Sequence, residues 1–167
     1  MEITSIGPFL KYFTGIRERT MKVARLSPAD KMDWSCAAAK FTLGDLLRHI
    51  AVTERYMWGE TVQGKPSRYV SHGKELAESR EDILALMEKL HGESMDIFSK
   101  LTDADLHRKC ATPAGTEIQT AKWLRAMVEH EIHHRGQIYL YLGMLGIQTQ
   151  PIFGLTSEQV RSVGISD

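Results

Sequence analysis

Hydrophobic positions recur at three- and four-residue steps, the period of an amphipathic helix, in four separate stretches of the chain. The first carries Phe9, Leu10, Phe13, Ile16, Met21, Val23 and Ala24. Pro8 suits an early helical position, and Ser27-Pro28 disfavours continuation past about Leu26. The second runs through Leu43, Leu46, Leu47, Ile50, Met57 and Trp58 to about Thr61, with Thr42 placed as its cap and Asp45 completing a capping box. The third spans roughly Ala77 to Leu101, with Gly92 as its weak point. The fourth runs from about Thr120 to Leu145 and stops at Gly143 to Gly146. Two long connections separate these stretches, about Val62 to Glu75 and about Thr102 to Ile118, the second with a Pro113-Ala114-Gly115 turn signal. A short tail holds one helical turn from Thr156 to Val160, and no convincing alternation suggests a strand. The pattern predicts an all-α four-helix bundle, a single domain over residues 1–167.

One stretch breaks the rule that the buried face is apolar. Projected at about 100° per residue, Trp123, Met127, His130, His134, Ile138, Tyr141 and Leu145 share one arc of the fourth helix. Two imidazoles on a face due for burial need partners for their ring nitrogens, and a divalent metal held between them provides one. His49 is a third candidate, at one edge of the apolar arc of the second helix beside Thr53 and Tyr56. If it points inward, bundle packing brings it against the pair. Three neutral imidazoles with open positions describe a catalytic-type zinc site, and suit nickel, cobalt or iron as well. Glu54 is a candidate to orient a ligand from behind. His133 projects about 100° from His134 and reads as accessory, while His72, His91 and His107 fall in or beside loops or on a polar face. The competing reading makes each of these histidines an ordinary core or half-exposed residue.

His130-Glu131-x-x-His134 also matches the HExxH motif of zinc peptidases, in which the Glu is the general base. Here Arg135-Gly136-Gln137 departs from the metzincin continuation, and a downstream acidic ligand would have to be Glu158, beyond Gly146 and Pro151. A peptidase is therefore disfavoured, and Glu131 remains as a catalytic candidate, a proton acceptor beside the metal.

Charge narrows the partners. Lys and Arg number 21 against 21 Asp and Glu, so neither nucleic acid nor an anionic membrane surface is expected. Met1-Glu2-Ile3-Thr4 shows no signal-peptide pattern, and no apolar run approaches a membrane span. Cys36 and Cys110 form no CxxC pair, which points to a reduced, cytoplasmic protein.

Two segments together carry a family resemblance. Leu46-Leu47-Arg48-His49-Ile50-Ala51 with Glu54, and much later Glu129-His130-Glu131-Ile132-His133-His134-Arg135-Gly136-Gln137, resemble the DinB/YfiT-like family. The likeness extends to Gly146-Ile147 and to Pro151-x-x-Gly154. It implies a four-helix bundle of up-down-down-up topology, often a homodimer, holding zinc or nickel through three histidines. Carried over by position, these are His49, His130 and His134. The resemblance further implies a metal-dependent enzyme that uses a low-molecular-weight thiol on a small-molecule substrate, as a thiol S-transferase. The alternatives are a non-catalytic, stress-related metal-binding bundle and, less favoured, an HExxH metallohydrolase.

Overall fold

Two of the four long helices start on capping boxes. A computed structural model describes residues 2–163; the outermost positions of the expected domain, Met1 and 164–167, lie outside the described residues. The bundle consists of α1 (Ile6–Ala24), α2 (Leu43–Thr53), α3 (Arg80–Phe98) and α4 (Thr120–Met144), with a short α5 (Ser157–Val163) in the tail. At the start of α2, Thr42 Oγ1 accepts from the Asp45 amide at 3.1 Å while Asp45 Oδ2 accepts from the Thr42 amide at 3.1 Å. Ser79 and Asp82 repeat the box on α3, which is why that helix starts later than Ala77. Gly92 does not interrupt it.

Beyond Thr53 the second helix widens into a π-helical turn, Glu54–Trp58, and closes with Gly59–Thr61. Nine residues past His49, a regular α-helix would present its opposite side, about 180° round. The π turn takes up an extra residue and swings Trp58 back, so that its ring centroid lies 5.0 Å from that of His130.

Side-chain pairings give the helix directions. Arg48 Nη1 donates to the Ala77 carbonyl at 2.9 Å, His91 Nδ1 meets Glu54 Oε1 at 2.9 Å, and Arg55 Nε donates to Glu93 at 2.9 Å. Position rises together along both helices, so α2 and α3 are parallel. Helix α1 opposes α3, pairing Arg25 with Glu88 near one end and Phe9 with Phe98 near the other. Helix α4 opposes α2, with His134 beside His49 and Trp123 beside Trp58. It runs with α1, matching Arg17 to Glu131 and bringing Tyr139 level with Arg19 and Lys22. The result is the expected up-down-down-up bundle.

A hairpin departs from the expected absence of strands. Here β1 (Lys109–Ala111) pairs antiparallel with β2 (Glu117–Gln119) inside the second long connection. Three-residue strands are too short for alternation to register. Gly115 sits at its tip with φ 78°, a left-handed conformation that suits glycine. The Thr120 amide donates to the Arg108 carbonyl at 2.9 Å, tying the hairpin base to the start of α4.

The interior is layered. One apolar cluster gathers Met21, Leu43, Leu47, Ile83, Met87, Ile138 and Leu142; another gathers Phe9, Phe13, Trp58, Phe98, Leu124 and Met127. Between them lies a buried polar layer. Arg17 Nη2 reaches both Glu54 Oε2 and, at 3.0 Å, Glu131 Oε2, and His91 closes on the other oxygen of Glu54. Burial alone would raise the Glu54 carboxyl, but the Arg17 charge and the His91 bond outweigh it and hold it below its ordinary value. The Glu131 and Glu54 charges likewise raise Arg17 against the opposing effect of burial.

Removing one member of such a cluster strands the others. Arg17→Met is expected to destabilise the fold by about 3–5 kcal/mol in urea unfolding. The triple variant Arg17→Met, Glu54→Leu, Glu131→Leu should cost less than the single one. A single-variant cost within experimental error would show that these pairs do not hold the layer together.

Candidate metal centre

Three imidazoles meet where α2 faces α4. His49 Nε2 lies 3.0 Å from His130 Nε2, which lies 3.1 Å from His134 Nε2. The three nitrogens fall within 4.8 Å of one another, so each residue can offer one ligand atom to a shared ion. Two nitrogens on one tetrahedral zinc, at bonds of about 2.0–2.1 Å, sit about 3.3 Å apart. The observed spacings are close to that, and the cluster would need only slight expansion.

The protonation states also suit a cation. Burial first, then the neighbouring His134 and His72, lowers His49 to about 4. Burial, followed by His134, His49 and His133, lowers His130 to about 3. Burial lowers His134 too, against the opposing effect of its hydrogen bond to Gln137. At neutral pH all three are uncharged rings with lone pairs to give. Nδ1 of His134 lies 2.7 Å from Gln137 Oε1, an arrangement that puts the hydrogen on Nδ1 and leaves Nε2 bare toward the cluster. The donor set therefore fits a divalent ion.

Aromatic rings enclose the cluster. Phe41, just before α2, has its ring centroid 5.1 Å from His49 and 6.2 Å from His134. Trp58 covers His130 on another side. Tyr69, in the connection between α2 and α3, brings its hydroxyl to 3.1 Å from His49 Nδ1.

The structure brings His49, His130 and His134 together, and places the other candidates elsewhere. Glu131 lies about 100° round α4 from His130 and accepts from Arg17 of the polar layer. Glu54 joins the same layer and not the imidazoles. His133 is exposed, its ring 5.0 Å from that of His134. His91 is half-buried on α3 and bonded to Glu54, contrary to its reading as a loop or polar-face residue. His72 lies beside the site, its Nδ1 2.7 Å from the Tyr69 hydroxyl. Gln137 is an i+3 neighbour of His134 and Thr53 an i+4 neighbour of His49, so helical spacing alone could have marked both. Nothing periodic points to Tyr69, His72 or Phe41, which lie outside helices.

Known proteins share this fold. A family model for the DinB superfamily matches residues 12–138, most of the chain and all three clustered histidines. The chain belongs to the DinB superfamily. Within that superfamily, protein YjoA of Bacillus subtilis (strain 168) is 21% identical over 146 residues, 86% of this chain and 93% of YjoA. A crystal structure of a DinB-like protein from Bacillus cereus ATCC 10987 matches with a TM-score of 0.77 at 21% identity, covering 89% of this chain and 97% of that one. YfiT from Bacillus subtilis, described as a probable metal-dependent hydrolase with an unusual four-helix bundle topology, matches with a TM-score of 0.68 at 15% identity. The match covers 86% of this chain and 89% of YfiT. At these identities the structural likenesses establish the shared bundle.

The depressed imidazoles give the metal-free chain a pH signature. Unfolded histidine titrates near 6.5, whereas folded His49 and His130 sit at about 4 and about 3. Between those values the unfolded state binds more protons, so this contribution is present above about pH 6.5 and is lost as pH falls through the folded values. The urea midpoint of metal-free protein is expected to fall more steeply below about pH 6.5 in the wild type than in His130→Gln. Equal slopes would show that the cluster does not carry this linkage.

Proposed function

We propose that this DinB superfamily protein is a divalent-metal-dependent enzyme that adds a low-molecular-weight thiol to a small electrophile. The observation supporting the metal is the convergence of three neutral imidazole nitrogens from α2 and α4. Zinc or nickel suits that donor set. When bound, such an ion supplies acidification: it lowers the pKa of a thiol or water in an open position enough to yield the anion near neutral pH.

The remaining work falls to the chain. His49, His130 and His134 hold the ion from one side. Phe41 and Trp58 pack against them and limit water around the centre. The nearby carboxylates are committed, Glu131 to Arg17 and Glu54 to Arg17 and His91. A water nucleophile gains from a carboxylate base beside it, while a thiol, with an ordinary pKa of about 8.5, needs a far smaller push. That difference favours the thiol, and a reduced cytoplasm is where such thiols are available. Hydrolysis is the second reading, favoured by the description of YfiT as a probable metal-dependent hydrolase.

Metal analysis of purified protein is expected to find about one divalent ion per chain, lost in the double variant His130→Ala, His134→Ala. The metal-loaded protein is then assayed with a panel of cellular thiols and a chromogenic electrophile, alongside ester and amide substrates. Thiol-dependent turnover supports the S-transferase reading. Turnover of esters or amides without thiol supports hydrolysis, and a tight ion with no turnover leaves a non-catalytic metal-binding bundle.

A homodimer is part of the same proposal. Ile132, Leu140 and Met144 are 38%, 58% and 57% exposed along α4, an apolar stripe that a second copy would cover. Sedimentation should give a dimer for the wild type and a monomer for Leu140→Glu; a monomeric wild type would refute it.

A further inference from the structure

We infer that Tyr69 and His72 are positioning residues that fix the tautomer and aim of His49 through a one-way hydrogen-bond chain. The inference rests on the metal-centre reading of His49 and extends it to the connection between α2 and α3.

The direction of the chain follows from Thr53. Its hydroxyl donates to the His49 carbonyl, one turn back on the same helix. With that hydrogen committed, Thr53 Oγ1 can only accept from His49 Nδ1, which it faces at 3.3 Å. Nδ1 therefore carries the hydrogen. The Tyr69 hydroxyl, 3.1 Å from the same Nδ1, must then accept from it as well. Tyr69 turns its own hydrogen to His72 Nδ1 at 2.7 Å, the shortest link of the chain. The order His49 Nδ1–H to Tyr69 O–H to His72 Nδ1 leaves His49 Nε2 bare, facing His130 Nε2. The opposite order would place a hydrogen on the atom that has to bind the ion.

The far end of the chain is built to stay in place. Arg48, the residue next to His49, is 1% exposed and donates from Nε to the His72 carbonyl at 2.8 Å and from Nη1 to the Ala77 carbonyl at 2.9 Å. Asp45 takes its remaining arm at 2.8 Å. The Phe41 ring stands against His72, their centroids 4.6 Å apart, and against His49. The connection is thus pinned to α2 at the level of the ligand it supports. Partners of this kind on a metal-binding histidine set ring orientation, and their loss typically costs about 10–100-fold in metal affinity.

Long-range proton–nitrogen NMR of the metal-free protein reads the tautomer directly. The wild type should show His49 with hydrogen on Nδ1, and Tyr69→Phe, which leaves only the longer 3.3 Å acceptor Thr53, should show the Nε2–H form rising while circular dichroism stays unchanged. Zinc affinity should fall about 10–100-fold in Tyr69→Phe and in His72→Leu. His72→Asn, whose amide oxygen can accept where Nδ1 did, should recover most of the loss. Hydrogen on Nε2 of His49 in the wild type overturns the inference, as does a folded Tyr69→Phe with unaltered tautomer and zinc affinity. If the wild type takes up no divalent ion, the metal reading fails on its own, and the tautomer measurement still decides the chain.

Discussion

An arginine buried with two carboxylates at mid-height is the constraint on which the bundle depends. Apolar faces tolerate a slide of one helix along another, because one leucine fills the space of the next. A guanidinium shared between Glu54 and Glu131 tolerates none, since any slip leaves a charge without its partner in the interior. His91 adds the third helix to the same level through Glu54. All four long helices are thereby held in register at one height, with an apolar cluster above and another below. That register also aligns the imidazoles, because His130 neighbours Glu131 on α4 and His49 lies just over one turn before Glu54 on α2.

This arrangement gives the HExxH match in the chain a different meaning. In a metallopeptidase the histidines and the glutamate serve one centre. Here the about 100° step between adjacent helical residues divides them. His130 and His134 face α2 and the candidate metal centre, while Glu131 and Arg135 turn toward α1, where Arg135 donates to the Ile16 carbonyl at 3.2 Å. One short motif thus serves two neighbouring seams of the bundle.

Much of this was legible from the residues, and the boundary has physical reasons. Long helices repeat their pattern over several turns, so the four could be placed to within a few residues, and the Thr42–Asp45 box marked its start correctly. The His130–His134 pair stood out as two polar rings where the period called for apolar ones. The approach of His49 depended on packing between helices distant in sequence, which periodicity along one helix cannot reveal. The buried arc of α4 is also wider than a single stripe, because it packs against α1 as well as α2; Leu124, Val128, Glu131, Arg135 and Leu142 are buried while Trp123 and Leu145 are only partly so. Tyr69, His72 and the β1–β2 hairpin lie in connections, where position is set by single anchors such as Arg48 and not by any repeating pattern.

The distances along the chain carry a consequence for how the protein comes into being. His49 meets His130 across 81 residues, and Arg17 meets Glu131 across 114. Helices are usually quick to fold because their contacts are local, yet the decisive contacts here close very long loops. During synthesis, α1, α2 and α3 emerge while Arg17 still lacks one of its carboxylates and His49 lacks His130 and His134. Only the arrival of α4 completes the polar layer, and it completes the candidate metal centre in the same stroke. A ribosome-bound fragment ending before Thr120 would lack the imidazoles of α4, so the cluster forms only on a nearly finished chain.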